Sequence, residues 1–304
     1  KYNIKMKKIY LMFIFLLPLL ITACNTGSII GSGSADGIQI KFLQPTFPTD
    51  SIKGEGDQIT ALLEVTNYAE CDAIGKICVD DGALSEAFGG FNKARDCKQL
   101  NIPAAAEVNG KLKQTKEQYL FISQPYKNLF ADLSDVRIDA IANYRCDVLM
   151  STRVCVKSPL DQTSNCKLSE TITGSSSGAK TAPVTLSSIT KQVGLQDNGL
   201  KLRTTLTFKK MSKGFVINED GISQMKVDVT YSGTPMECSS TPGTDYRNGI
   251  LTWKGDESEN IINCDILLSK QELNDPLGIH LTYDYQISEE VGSIRIKVKN
   301  KEAA

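Results

Sequence analysis

Short runs of alternating apolar and polar residues recur along most of the chain, and this pattern constrains the fold more than any other feature. A period of two residues is typical of β-strands with one buried and one exposed face. No segment has a sustained 3.6-residue period, and the best helical stretch, Leu84–Ala94, is interrupted by Gly89 and Gly90. Because parallel α/β folds need helical crossovers between their strands, the sequence predicts antiparallel sheets. We therefore expect an all-β protein.

The predicted strands form two groups, separated by a Gly/Ser-rich stretch at Thr171–Pro183 that is typical of a linker. The first group comprises Gly37–Leu43, Gln58–Val65, Gln118–Ile122, Val136–Tyr144 and Met150–Val156. The second group comprises Val184–Ile189, Leu200–Phe208, Met225–Tyr231, Ile261–Leu268, Ile279–Ile287 and Ile294–Val298. We expect two tandem antiparallel β-sandwiches, over residues 38–170 and 184–300, with a linker at 171–183.

The final strands of the two groups resemble each other. With one gap, Tyr144 aligns with Tyr285, and Arg153–Lys157 aligns with Arg295–Lys299. In each group the last two alternating runs predict a closing antiparallel hairpin. A duplicated domain accounts for this similarity, and independent strand patterning is the alternative.

The segment Met6–Cys24 has the composition of a secretory signal. Two lysines precede the apolar run Ile9–Ile21, and small residues follow it. The run is shorter than the roughly 20 apolar residues that a membrane-spanning helix needs, and it contains Pro18. We expect residues 1–23 to be a signal peptide whose translation starts at Met6, with an uncleaved membrane anchor as the alternative.

The sequence Ile21-Thr22-Ala23-Cys24 resembles the lipobox of bacterial-type lipoproteins. This resemblance implies cleavage before Cys24 and attachment of lipid to its thiol. Residues 24–37, which are rich in Gly and Ser, then form a flexible tether. The expected location is extracytoplasmic, with the chain anchored to the cell membrane through Cys24.

Eight further cysteines predict a disulfide framework, because their number is even and the chain carries an export signal. They are Cys71, Cys78, Cys97, Cys146, Cys155, Cys166, Cys238 and Cys264. A zinc site would need C-x₂₋₄-C pairs, and the closest two cysteines have six residues between them. Eight cysteines allow about 105 connectivities, so most of the pairing stays open. Cys238 and Cys264 are alone in the C-terminal half, which favours a bond between them.

Two short motifs resemble immunoglobulin-like modules. Ala142-x-Tyr144-x-Cys146 is similar to the end of strand F in an Ig-type sandwich. Gly37–Asn67 is similar to the first two strands of CARDB-like modules, which occur in tandem on prokaryotic surface proteins, especially archaeal ones. The resemblance implies Ig-like sandwiches. The chain departs from antibody domains because Trp253, its only tryptophan, lies in the second group.

The charge balance excludes some partners. Without residues 1–23 the chain has 30 basic and 35 acidic residues, a formal charge of −5. Nucleic-acid binding needs a basic patch, and anionic lipid head groups attract basic segments. We therefore expect no nucleic-acid partner and attachment to the membrane by lipid alone.

Catalytic motifs are weak. His280 is the only histidine and lies in an alternating run, where a surface or packed role is the default. Gly174–Gly178 matches G-x-S-x-G but lies in the predicted linker, whereas a nucleophile elbow needs a strand-to-helix turn. We expect no catalytic residue.

Two acidic clusters are candidate calcium sites, because calcium takes carboxylate oxygens from flexible loops. They are Asp80-Asp81 and the group Asp256, Glu257 and Glu259. Neither has the D-x-[DN]-x-[DN]-G spacing, so solvated loop charge is the default interpretation. No other cofactor is expected.

Asn248-Gly249 is a strong hairpin signal, since both residues tolerate positive φ. Tyr246 and Trp253 flank it and could contact a sugar or protein partner. The alternative places Trp253 in the sandwich core.

These features predict a membrane-anchored cell-surface lipoprotein with a non-enzymatic role in adhesion or envelope assembly, binding an unknown protein or glycan. A solute- or glycan-binding lipoprotein is the first alternative, although that class usually has two helix-rich α/β lobes. A secreted hydrolase that uses acids remote in sequence is the second.

Overall fold

The computed structural model describes residues 37–43, 52–54, 56–82, 86–129, 131–162, 165–178, 180–196, 199–254, 259–269 and 272–298. Cys24, the predicted signal peptide and residues 24–36 of the predicted tether lie outside this set. Across the residues described, no helix has the length and apolar character needed to cross a membrane.

The described residues are almost entirely strands, turns and loops. Residues 37–162, called the first half here, contain β1 (Ile38–Phe42), β2 (Ile52–Gly54), β3 (Thr60–Asn67), β4 (Ala73–Asp80), β5 (Cys97–Ile102), β6 (Ala106–Val108), β7 (Lys111–Lys113), β8 (Thr115–Ile122) and β9 (Leu133–Lys157). Residues 165–298, the second half, contain β10 (Ser169–Thr173), β11 (Val184–Gln196), β12 (Gly199–Lys210), β13 (Phe215–Val216), β14 (Gln224–Tyr231), β15 (Thr234–Pro235), β16 (Glu237–Ser240), β17 (Asp245–Arg247), β18 (Ile250–Thr252), β19 (Glu259–Leu268) and β20 (Glu272–Lys297). Short 3₁₀ turns lie at Glu86–Phe88 and Gly174–Ser177.

These strands form three main sheets. A three-stranded sheet has the order β1-β3-β8, and a five-stranded sheet has the order β10-β11-β12-β19-β16. We call them the first and second front sheets. The central sheet has the order β17-β18-β14-β20-β9-β4-β5, with β13, β15 and β2 paired beside this path. The pairing is antiparallel except between β2 and β20, which confirms the predicted all-β antiparallel fold.

The two halves repeat one pattern of strand pairing. In the first half β1 pairs with β3, β3 with β8, β4 with β5, and β4 with β9. In the second half β11 pairs with β12, β12 with β19, β14 with β18, and β14 with β20. The equivalent strands follow the same order along the chain. This repeated topology is what a duplicated domain predicts.

The closing hairpins predicted at Val136–Val156 and Ile279–Val298 are wrong. Each segment is one long strand, and β9 pairs with β20 over most of its length. Residues at even positions of β9 are buried from Val136 to Met150 without a change of phase, and no Gly or Pro interrupts them. Because nothing reverses the chain, each strand pairs with its counterpart from the other half, and Tyr144 lies directly opposite Tyr285.

Strand pairing therefore crosses the predicted boundary at residues 171–183. Ser169–Thr173 forms β10 and pairs with β11, and the Thr181 amide donates to Glu70 in the first half at 2.8 Å. All the described residues belong to one compact unit, and their buried apolar side chains form a continuous core. The physical reason is the pairing of β9 with β20, which joins strands of both halves into the single central sheet.

Buried tyrosines connect the front sheets to the central sheet. The Tyr144 hydroxyl accepts a hydrogen bond from the Ile38 amide at 3.4 Å, and the Tyr283 hydroxyl accepts one from the Val184 amide at 3.0 Å. The Tyr285 hydroxyl donates toward the Ser212 carbonyl at 2.9 Å. Burial raises the pKa of all three hydroxyls, to about 12 for Tyr285. Each tyrosine thus combines a large buried ring with a satisfied polar end.

The eight cysteines form four disulfides, as predicted: Cys71–Cys146, Cys78–Cys97, Cys155–Cys166 and Cys238–Cys264. The last is the pair that the sequence favoured. Disulfides persist in oxidising compartments, so the framework indicates an extracytoplasmic location.

The alternating sequence pattern did not predict two strands of the central sheet. β4 and β5 belong to the central sheet, but Gly75 and Cys78 blur the alternation of β4. Gly75 is required because a Cβ there would lie 2.0 Å from the Asn143 carbonyl oxygen on β9. In the predicted helix Leu84–Ala94, the described residues show only the 3₁₀ turn Glu86–Phe88 and a later turn.

Candidate functional site at the junction of the two halves

A polar cleft of about 330 Å³ opens on the outer face of the central sheet, beside the Tyr144–Tyr285 pair. Its floor contains Arg145 of β9 and Asp284 of β20, which lie directly opposite each other. Both side chains point outward because their neighbours Tyr144 and Tyr285 point into the core. Ile74 of β4 supplies an apolar wall, and its side chain is half exposed. We call this the junction cleft, because both halves line it.

The other wall is the loop Ile217–Ile222, and its own sequence fixes its shape. The Asn218 side-chain oxygen accepts hydrogen bonds from the amides of Asp220 and Ile222 at 3.0 and 2.8 Å. This is the local side-chain-to-backbone bonding that asparagine favours in turns. The Ile217 amide donates to the Asp284 carbonyl at 3.1 Å, which fixes the loop to β20.

Two contacts between the halves surround the cleft. The Lys76 ammonium lies 2.8 Å from the Glu219 carboxylate, and both side chains are substantially exposed. On the sheet, the Gln286 amide donates to the Asn143 side-chain oxygen at 2.8 Å. The lining is therefore held by both halves at once, and relative movement of the halves would change its shape.

The cleft has a net negative lining. Glu219, Asp220 and Asp284 contribute three carboxylates, against the single guanidinium of Arg145. Lys76 neutralises Glu219 from outside the lining. An open cleft with this balance suits a positively charged group, which Asp220 and Asp284 would attract.

His280 lies on the same outer face of the central sheet, four residues before Asp284 on β20. Its Nε2 is 2.5 Å from Asp147 Oδ1, and its Nδ1 is 3.9 Å from Asp228 Oδ2. The Thr282 hydroxyl also donates to Asp147, at 3.3 Å. Leu149 is the residue opposite His280 on β9. The imidazole therefore lies between two carboxylates, with its side chain 39% exposed.

The calcium interpretation of Asp80-Asp81 fails, because the two carboxylates point in opposite directions. Asp81 is buried and accepts hydrogen bonds from the Phe91 amide and the Tyr126 hydroxyl, at 3.0 and 2.9 Å. Asp80 points outward and lies opposite Asp139. Within the part of the chain that the structure describes, no three acidic, His or Cys residues are grouped to hold a metal.

The outward-facing row of residues that contains Asp80 and Asp139 is acidic. Asp139 lies between Asp80 and Glu290 in the sheet, and partial burial together with these charges raises the pKa of its carboxyl. In the second predicted calcium cluster, Glu259 is exposed at the start of β19, whereas Asp256 and Glu257 lie outside the described residues.

The predicted aromatic contacts are not on the surface. Tyr246 and Trp253 are 8% and 2% exposed, and the Tyr246 hydroxyl reaches the Val227 carbonyl at 3.4 Å. The hairpin itself forms as predicted, with positive φ at Asn248 and Gly249 between β17 and β18. Both aromatic side chains fill the core, which is the alternative stated above for Trp253.

The segment Gly174–Gly178 is not a nucleophile elbow. Gly174–Ser177 is a 3₁₀ turn, and the Ser177 hydroxyl is buried and donates to the Gly174 carbonyl at 2.7 Å. The Ser176 carbonyl accepts a hydrogen bond from Thr152 at 2.6 Å. The segment is therefore a 3₁₀ turn that holds the Ser177 hydroxyl inside it, whereas a nucleophile elbow needs a strand-to-helix turn.

The residues of the junction cleft were missed because they are remote in sequence. Arg145 and Asp284 are brought together only by the pairing of β9 with β20. One signal in the sequence pointed to these residues. Arg145 and Asp284 are neighbours of Tyr144 and Tyr285, which align with each other between the two halves. The run Asn218–Gly221 also has turn-forming composition.

No protein-family model matches this chain, and a search of the curated proteins finds no similar sequence.

Proposed function

We propose that this chain is an exported cell-surface lipoprotein, anchored through lipid on Cys24, that binds a partner in the junction cleft without catalysing a reaction. Its role is adhesion or assembly in the cell envelope, through two fused Ig-like sandwiches. The observation that carries the proposal is the cleft itself, which is built from both halves and lined by charged side chains.

Export and anchoring are supported by two independent features. The segment Met6–Cys24 combines a charged start, an apolar run and small residues before a cysteine. The other eight cysteines are all paired, so Cys24 is the one cysteine left over for modification. A single acyl chain gives only reversible membrane binding, whereas two chains give stable attachment.

A binding role is supported by the architecture of the cleft. Ligand sites occur preferentially where domains meet, and here both halves supply the walls. The cleft is open and has a rigid turn on one side, which suits a protruding group of a larger partner. Because the lining is net negative, we propose that the partner is an envelope protein that inserts a basic side chain between Asp220 and Asp284.

The anchor is tested by labelling cells that produce the chain with a clickable fatty acid. We expect label on the wild type and its recovery with membranes, and neither for Cys24→Ser. The variant Cys155→Ser/Cys166→Ser is the matched control and should keep the label. Labelling of Cys24→Ser would refute the anchor.

The binding role is tested by capturing envelope proteins on the purified full chain and comparing variants. Asp220→Asn/Asp284→Asn should lose a partner that the wild type retains, because two attractive charges are gone. Asp245→Asn, an exposed acid elsewhere on the central sheet, should retain it. High salt should release the partner, since exposed charges are screened. If all three proteins capture the same set, the junction cleft is not the binding site.

A further inference from the structure

The outer face of the second front sheet carries an ordered array of hydroxyl and amide side chains, which we call the hydroxyl face. Its central row crosses all five strands, and directly opposed residues form it: Thr171, Thr190, Thr205, Asn263 and Ser239. Thr171 and Ser239 are exposed, and the other three are partly buried. At about 4.8 Å between strands, the row is roughly 19 Å long.

Hydrogen bonds between neighbours order this row. The hydroxyls of Thr171 and Thr190 are 3.1 Å apart, and the Thr205 hydroxyl donates to the Asn263 side-chain oxygen at 2.7 Å. A hydroxyl has one donor and two acceptor sites, so each bond leaves further capacity toward solvent. The threonine side chains are also stiff at χ1, which lowers the entropy lost on binding.

The rows on either side extend the surface. One contains Thr173, Ser188, Thr207 and Ile261, which adds three hydroxyls and an exposed aliphatic side chain. The other contains Ser169, Gln192, Arg203, Asp265 and Glu237. Shallow clefts of about 240 and 480 Å³ adjoin the row that contains Arg203, and Lys201 lines both clefts.

The face is electrically balanced. Arg203 makes two hydrogen bonds of 2.8 Å to Asp265, and Lys201 lies 3.0 Å from the same carboxylate. The Arg203 hydrogen bond keeps the pKa of Asp265 below its usual value, so this ion pair persists at neutral pH. With Glu237 included, two cations face two anions, and the central row has no charge. Such a face offers no net attraction to a nucleic acid or an anionic membrane.

This surface is not a general consequence of the fold, because the equivalent face of the first half is different. On the first front sheet, Lys116 pairs with Glu64, and Leu120 and Ile122 are about half exposed. The strands are equivalent, but their outward side chains are mostly charged, amide or aliphatic, and Thr60 lies opposite Ile122 and not opposite another hydroxyl. The hydroxyl array is therefore a property of the second half alone.

We propose that the hydroxyl face binds a neutral polysaccharide of the cell envelope, lying along the central row. Sugar hydroxyls would exchange hydrogen bonds with the threonine, serine and asparagine side chains, while sugar C–H groups pack on threonine methyls and Ile261. The absence of net charge on the face matches the absence of charge on the chain. This inference goes beyond the proposed function, since it concerns a different surface and a different class of partner.

The test is co-sedimentation of the purified full chain with insoluble neutral polysaccharides, namely cellulose, chitin, a β-1,3-glucan and a mannan. A detergent without sugar head groups keeps the lipidated chain in solution. We expect binding to at least one polysaccharide, and at least a tenfold loss of affinity for Thr190→Val/Thr205→Val. Thr60→Val, on the equivalent face of the first half, is the matched control and should bind like the wild type.

Raising the salt concentration should leave the affinity unchanged, because no charge is involved. Variants must unfold at the wild-type denaturant concentration; if the double variant does not, Thr171→Val at the sheet edge replaces it. Binding to none of the four polysaccharides, equal binding by the threonine variants, or release by salt would each overturn the proposal. Asp220→Asn/Asp284→Asn should bind polysaccharide normally, so this result is independent of the junction cleft.

Discussion

The two halves share a topology but secure the same connection in different ways. In each half a segment leads from the front sheet to the central sheet, after β3 in one and after β12 in the other. In the first half the disulfide Cys71–Cys146 ties this segment to β9. In the second half the Tyr285 hydroxyl on β20 donates to the carbonyls of Ser212 and Lys213, at 2.9 and 3.0 Å.

The front sheets also differ in size. The first has three strands and the second has five, with β11 and β12 paired over most of their lengths. The larger sheet has its own disulfide, Cys238–Cys264, between β16 and β19. The two halves therefore share one strand order but use different interactions to secure the equivalent connection.

The largest expected effect is removal of the disulfide that secures the first half. Cys71→Ala/Cys146→Ala removes a disulfide between residues 75 positions apart. The chain-entropy model then gives a loss of about 4 kcal/mol in the free energy of unfolding. Cys155→Ala/Cys166→Ala opens a link across 11 residues and should cost about 1.7 kcal/mol less. Urea unfolding followed by Trp253 fluorescence measures both. Equal losses would show that the position of the bond, and not its loop, determines its value.

The second prediction concerns the hydrogen bonds that secure the second half. Tyr285→Phe removes the only hydroxyl that donates to the Ser212 carbonyl, while the Lys213 carbonyl keeps a hydrogen bond from the Ser212 hydroxyl. It should lower the unfolding free energy by about 2 kcal/mol. Tyr144→Phe is the matched variant on β9. Its hydroxyl accepts one long bond of 3.4 Å, and the disulfide lies nearby, so the loss should be under about 1 kcal/mol. A larger loss for Tyr144→Phe would reverse the comparison.

The third prediction is a pH dependence to which Tyr285 of the second half contributes. Burial raises the pKa of Tyr285 to about 12, from an ordinary value near 10. A raised folded-state pKa means that stability is complete below pH 10 and is lost as the pH rises through 12. At about pH 11 this group alone should cost about 1.4 kcal/mol.

Unfolding curves of the wild type and Tyr285→Phe between neutral pH and pH 11 test this. The difference between the two proteins should shrink as the pH rises, because the phenylalanine variant lacks the titrating group. A constant difference would mean that the hydroxyl does not change its ionisation on unfolding.

Local patterns in the sequence predicted much of this fold, but the joining of the halves was not accessible to them. Alternation placed β1, β3, β8, β12, β14 and β19 close to their observed positions, because one buried face imposes a period of two. The same alternation runs through β9 without a break. Alternation alone does not show whether a chain continues as one strand or turns back as a hairpin, so the predicted hairpin there is wrong. Which strand lies beside another depends on tertiary pairing, and the period of a strand does not contain that information.

The candidate site shows the same division between local and tertiary information. The Asn248-Gly249 hairpin and the Cys238–Cys264 bond depend on nearby residues and were predicted. The aromatic residues around that hairpin were offered as ligand contacts, but Trp253 is buried, since alternation does not show which face meets the core. Arg145 and Asp284 are separated by most of the second half, so only the register between β9 and β20 brings them together.

The smallest expected effect tests whether charge helps to join the halves. The ion pair between Lys76 and Glu219 crosses the junction, but their side chains are 40% and 58% exposed. Exposed pairs of this kind contribute between zero and about 1 kcal/mol. Lys76→Met keeps the aliphatic stem and removes the charge, so the unfolding free energy should fall by less than about 0.5 kcal/mol. Hydrogen exchange of the Ile217–Ile222 amides should also stay unchanged, because Asn218 holds the turn from within. A loss above about 1 kcal/mol, or faster exchange in this loop, would mean that the ion pair contributes to the junction alongside the β9–β20 pairing.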